Sequence, residues 1–167
     1  MNEKIVSAYE NAKSVYAEIG VDTDRAIEAV SRVPVSVHCW QGDDVLGFIK
    51  DNDTLGGGIQ TTGNYPGRAR NAEELRKDLD VAFSLIPGKQ RLNIHAIHAD
   101  TDEKVDLDAL EPRHFASWVD YCKEKDIALD YNPSCFAHPM ADSGFTLSSA
   151  DPAIRDFWLA HCIGSRK

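Results

Sequence analysis

Groups able to hydrogen-bond, stack or bind a metal gather at three points of this chain: His38 to Gln41, Asn93 to His98, and Asp130 to His138. Each cluster lies at the end of a β-branched or apolar run, so three strand ends together would make one wall of a small-molecule site. His95, projecting into a cleft, would serve as a hydrogen-bonding or acid/base imidazole, or else be a satisfied structural histidine. Trp40 and Phe136 either stack on an apolar face of a ligand or close the core. Asn132, ahead of Pro133, either touches a ligand or fixes the exit turn of its strand. His95 and His98 are spaced i, i+3 and point to opposite faces of an extended strand, so they share an ion only if the strand ends between them. His38 and His138 read as structural, and His114 and His161 fall on helices with no assigned role. Asp43, Asp44 and Asp130 do not form, with histidine, the set of hard oxygen ligands that a divalent cation needs, so no metal ligand and no catalytic residue is assigned.

The elements that must position these groups are legible from periodicity. Ile5, Tyr9, Ala12 and Tyr16 form a helical stripe stopped by Gly20, and a second helix follows an Asp22-Thr23-Asp24 cap through Ala26, Ile27 and Val30. Val33 to Cys39 is a strand. Residues 40–70 form a glycine-rich loop, Gly56-Gly57-Gly58 and Gly63 to Gly67, of a length usually tied to function. Asn71 and Glu74 fit a capping box for a helix with Leu75, Leu79, Ala82, Phe83 and Ile86 on its apolar face, and Pro87-Gly88 ends it. Leu92 to Ile97 is the second strand. A helix from near Pro112 buries Phe115, Trp118, Val119 and Cys122, and Ile127 to Tyr131 is the third strand. Asp151-Pro152 opens a last helix with Ile154, Phe157, Trp158 and Cys162 on its buried face. Two helices followed by three strand-loop-helix units point to an α/β fold with parallel strands, whether an open doubly wound sheet or the first part of a (β/α)₈ barrel. No Gly-x-Gly-x-x-Gly follows a strand, which weakens a dinucleotide site.

Composition narrows the partners. With 167 residues, 43% apolar and 27% charged, the chain suits one domain. A formal charge of −9 with scattered basic residues argues against nucleic acid. There is no long apolar leader and no run able to cross a bilayer, so the expectation is a cytoplasmic protein off the membrane. Cys39, Cys122, Cys135 and Cys162 are widely spaced without a Cys-x-x-Cys pair, and in a reducing compartment they are expected as free thiols.

Val35 to Asp44, Gly57 to Gly67, Leu92 to Ile97, Asn132 to Phe136 and Gly144 to Ser148 closely resemble the amino-terminal part of the L-rhamnose isomerases, over nearly the whole chain. The resemblance implies a TIM-type (β/α)₈ barrel of which residues 1–167 supply about three βα units preceded by two helices (1–32). It implies an aldose–ketose isomerisation of L-rhamnose and L-rhamnulose by a hydride shift, assisted by Mn²⁺ or another divalent cation, in a homotetramer. The metal ligands of the family are expected beyond Lys167, so this chain is expected to look truncated and, alone, to bind no metal, to be inactive and to associate. By the same resemblance Trp40, His95, Phe136 and Asn132 line the sugar pocket. Residues 40–70 cover it as a lid from which Leu55 and Ile59 reach the C6 methyl. The competing readings are a non-catalytic carbohydrate-binding fragment and a different metal-dependent barrel enzyme.

Overall fold

The computed structural model describes residues 2–39, 47–48 and 68–166. Helices α1 (Glu3–Glu18) and α2 (Thr23–Ser31) come first, then strand β1 (Val35–His38). Three strand-to-helix units occupy the rest: α3 (Ala72–Leu85) follows β1, β2 (Gln90–His95) precedes α4 (Ala116–Lys125), and β3 (Ala128–Asn132) precedes α5 (Pro152–Gly164). The strands form one parallel sheet in the order β1-β2-β3. The expected α/β alternation is present.

The helix starts follow their sequence signals. Asp22 accepts from Arg25 N at 3.1 Å, and Asp151 accepts from Ala153 N at 2.9 Å with Pro152 at the first helical position. The α3 box forms only by half. Asn71 Oδ1 accepts from Glu74 N at 2.9 Å, but the Glu74 carboxylate turns away to take Arg70 N at 2.8 Å and the Arg70 guanidinium. An arginine next to the cap competes with the cap's own backbone for that carboxylate.

Other boundaries shift. β2 does not run on to Ile97; it ends at His95, and Ala96–His98 coils into a 3₁₀ turn. The helix expected from Pro112 begins as a 3₁₀ turn, Pro112–Phe115, before becoming α4. At the amino end, α1 meets α2 through polar groups, Tyr9 and Lys13 both reaching Asp24, while Ile5 and Tyr16 are 64% and 50% exposed. The stripe on α1 is therefore real as a pattern but does not face a core.

In a parallel sheet, paired positions share a face. Val37, Leu92, Ile94, Leu129 and Tyr131 point toward α3 and α4, where Leu75, Leu79, Trp118, Tyr121 and Cys122 complete the main core. A second cluster of Ile97, Leu107, Ala137, Ala141 and Trp158 binds α5 to the loop after β3. The opposite sheet face is polar. Ser36 pairs with Arg91, His38 with Asn93, Asn93 with Asp130, and His95 with Asn132. Asp130 is its hub: Ser36 Oγ donates to it at 2.7 Å and Arg91 Nε at 2.8 Å, so one carboxylate ties the three strands.

The Arg91 guanidinium, followed by the Ser36 hydroxyl, holds the Asp130 carboxyl down from its ordinary 3.8 to about 2. A depressed carboxylate stabilises the fold above its unfolded value, and that contribution is lost as pH falls through the folded one. The stability difference between the protein and its Asp130→Asn variant is therefore expected to shrink as pH falls from 3.8 to about 2, as measured by urea unfolding across that window. A constant difference would show that the ion pair contributes nothing of its own.

Candidate functional site

The carboxyl ends of the strands bring imidazole rings into one row. His95 lies between its neighbours, with ring centroids 5.8 Å from His38, 6.1 Å from His98 and 6.4 Å from Phe136. His38 is exposed, whereas His95 and His98 are fully buried. The strand ending at His95 is what brings His98 back beside it, since a continued strand would send the two rings to opposite faces. Behind His98, Cys39 Sγ stands 3.4 Å from Nδ1 and the Trp118 indole donates to the His98 carbonyl at 2.9 Å. Phe48 meets the His98 ring edge-on at 5.2 Å, and its N–H donates to the Ile97 carbonyl at 2.6 Å. Gly47 allows that approach: at φ +71 it lies so close to Ile97 that a Cβ would collide with its carbonyl.

The loop after β3 is shaped by its own polar groups. Asn132 Oδ1 accepts from Ser134 N at 2.9 Å, fixing the exit turn. Ser134 and Ala137 both sit at φ +56, in the left-handed region where L residues carry strain, and they bracket Cys135 and Phe136. Ser134, 1% exposed, places Oγ 3.0 Å from His95 Nδ1 and 3.4 Å from the Asn132 carbonyl. A hydroxyl has one hydrogen, so Ser134 either donates to His95 Nδ1 or donates to the Asn132 carbonyl while accepting from Nδ1, and in both cases it fixes the position of the ring.

Two histidines hold this loop from behind. His161, 1% exposed on α5, sets Nδ1 2.7 Å from the Leu107 carbonyl and Nε2 against the Pro133 carbonyl. His138 accepts from Met140 N at 3.1 Å through Nδ1, which leaves Nε2 to donate to Asp106 at 2.9 Å, and its ring stacks on Phe157 at 4.5 Å. Ser134 and His161 were missed by sequence reasoning. Their partners are a histidine 39 residues away and two backbone carbonyls, neither of which leaves a local signature.

Among the pocket residues expected from sequence, His95, Asn132 and Phe136 share one loop-and-strand-end neighbourhood. Trp40, Leu55, Ile59, Asp43 and Asp44 lie outside the described residues. Among the described residues no group of three or more His, Cys, Asp or Glu side chains is arranged so that it could hold a metal ion, and the histidine row, with ring centroids 5.8 and 6.1 Å apart, does not fit one. Asp130, the carboxylate nearest in register, is already committed to Arg91 and Ser36. An open concavity of about 830 Å³ lies elsewhere, at the amino ends of the strands, lined by Lys89, Arg91, Lys123, Asp126 and Ala128. Parallel α/β sheets place their chemistry at the other end, where the histidine row lies, and this makes the row the candidate site.

What the row offers is an imidazole held from one side by Ser134, an aromatic face at Phe136 and buried surroundings that strengthen a polar contact. A family model described as L-rhamnose isomerase (RhaA) matches residues 3–167. The chain is 54% identical over 167 residues to the L-rhamnose isomerase of Yersinia pseudotuberculosis serotype IB (strain PB1/+), covering 100% of this chain and 40% of that relative. The same identity and coverage hold for the L-rhamnose isomerase of Yersinia pestis (strain Pestoides F). The chain thus spans about 40% of the length of the curated relatives it matches. A family model that matches residues 3–167, together with 54% identity to these relatives over all 167 residues, places the chain in the L-rhamnose isomerase family.

Proposed function

We propose that the chain is the amino-terminal portion of an aldose–ketose isomerase that interconverts L-rhamnose and L-rhamnulose. The observation that carries this reading is the 54% identity to named L-rhamnose isomerases along the whole chain. The three parallel strands are read as the first units of a (β/α)₈ barrel, with residues 1–32 as its leading helices and 40–70 as a lid. A homotetramer in the cytoplasm belongs to the same reading. A divalent cation such as Mn²⁺ enters it only through residues other than those described, which do not fit one.

Within this reading His95 hydrogen-bonds a sugar hydroxyl or the ring oxygen. Because it is fully buried, a sugar reaches it only when covering groups move aside. Phe136 and Trp40 supply apolar walls. Asn132 has its Oδ1 engaged in the turn, so its amide N–H is the group that could face a sugar. Leu55 and Ile59 meet the C6 methyl, a contact worth about 1–3 kcal/mol of discrimination.

The test is ketose formation from L-rhamnose by the full-length protein containing this chain, with residues 1–167 alone as the comparison. Turnover by the full-length protein and none by residues 1–167 is the expected result. No turnover by the former with any divalent cation, or turnover by the latter alone, would overturn the reading.

A further inference from the structure

Cys135 and Cys162 are 27 residues apart in sequence, one on the loop after β3 and one on α5, yet their sulfurs are 3.7 Å apart. Both are half-buried, and Cys135 packs against the cluster that fastens α5 to that loop. A disulfide needs the sulfurs at about 2.05 Å, so a closure of about 1.7 Å would join them. The other two thiols are differently placed. Cys39 faces His98, and Cys122 is buried in the main core.

The loop that would have to move is not relaxed. Ser134 and Ala137, both at φ +56, flank Cys135 and Phe136, and the turn is held by Asn132, by Ser134 against His95, and by His161 against Pro133. Non-glycine residues at positive φ persist only where surrounding contacts hold them, so a shift at Cys135 acts directly on those contacts. A covalent bond at Cys135 would pull on the residue between Ser134 and Phe136.

We propose that Cys135 and Cys162 form a thiol modification site, closed to a disulfide by a small-molecule disulfide such as oxidised glutathione, and that closure draws Phe136 and Ser134 out of register with His95. Its effect on turnover rests on the isomerase reading; the bond itself does not. In the exchange, one cysteine thiolate attacks a glutathione sulfur, expels one glutathione thiolate and leaves a mixed disulfide. The second cysteine, having lost its proton, attacks the protein sulfur of that bond and expels the other glutathione. The two cysteines are oxidised by two electrons in all, the glutathione disulfide is reduced to two thiols, and the two cysteine protons end on them.

Desolvation, and then the neighbouring Cys162, push the Cys135 thiol up to about 11. Little of the Cys135 thiol is thiolate at neutral pH, so attack by Cys135 is slow there and quickens as pH rises.

The experiment treats the full-length protein with oxidised glutathione, blocks remaining thiols with N-ethylmaleimide, and maps peptides without reduction. A peptide joining Cys135 to Cys162 is expected, forming about tenfold faster per pH unit between pH 7 and 9 as thiolate becomes available. Amide hydrogen exchange across residues 133–137 is expected to change in step with the bond, and turnover to fall several-fold and return with dithiothreitol. The Cys162→Ser variant is expected to keep its basal turnover and to lose the response. Glutathione on single cysteines without the linking peptide would overturn the site. A linked peptide that leaves both hydrogen exchange and turnover unchanged would overturn the effect on the loop. If the reduced protein shows no turnover at all, the isomerase reading fails, while the peptide and the exchange still decide this proposal.

Discussion

Replacing Trp118 by alanine is expected to destabilise the protein by about 3–5 kcal/mol, the range for removing a large aromatic from a packed core. The indole has no exposed surface and lies in the main core with Leu75, Leu79, Leu92 and Ile94. Two further contacts go with it. Its Nε1 donates to the His98 carbonyl at 2.9 Å, and the Arg76 guanidinium lies 4.9 Å above the ring. Deleting the ring leaves that carbonyl without its donor and the guanidinium without the face it covers. Trp118→Phe separates the causes: it keeps most of the apolar area, and a cost of about 1–2 kcal/mol would assign the remainder to packing. Urea midpoints of the two variants measure both. A loss below about 1 kcal/mol for alanine would mean that the core collapses onto the space or was never tightly filled.

The reach of sequence reasoning is uneven, for physical reasons. The α5 start was legible at residue level because a capping Asp followed by Pro acts through local backbone geometry. The three parallel strands and the cluster at their ends were legible because apolar runs and polar exits alternate along the chain. The polar sheet face was only half legible. Arg91, Asn93 and His95 alternate with Leu92 and Ile94, but that Asp130 would neutralise Arg91 depends on a register set between strands. Reading Leu92 to Ile97 as one strand failed because periodicity does not mark where a buried apolar run coils. The α1 stripe shows the complementary limit: a helical pattern defines a face and is silent about what covers it.

Histidines divide along the same line. His95 was conspicuous because it stands at a strand end, a place where parallel sheets carry function. His161, given no role because it lies on a helix, is buried between the Leu107 and Pro133 carbonyls and fastens the loop on which Ser134 depends. The Cys135 and Cys162 sulfurs meet only because that loop folds back on α5. Contacts made by turns and backbone atoms across tens of residues have no composition to betray them.

The strand-end row has one member whose loss should be felt most. In the full-length protein His95→Ala is expected to lower kcat/KM for L-rhamnose by about 5–150-fold, the cost of about 1–3 kcal/mol for leaving a buried polar group without its partner. The imidazole is fully buried, so its partner cannot be replaced cheaply by solvent. Removal also leaves Ser134 Oγ without its contact at 3.0 Å, which loosens the turn carrying Phe136. The two effects separate with Ser134→Ala, which keeps the imidazole but removes the hydroxyl that holds its Nδ1. If Ser134 acts only through His95, the double variant should be no worse than His95→Ala alone, a non-additivity read from the four kcat/KM values. Additive losses would mean that the serine shapes the loop independently, and an unchanged kcat/KM in His95→Ala would remove the imidazole from the sugar pocket altogether.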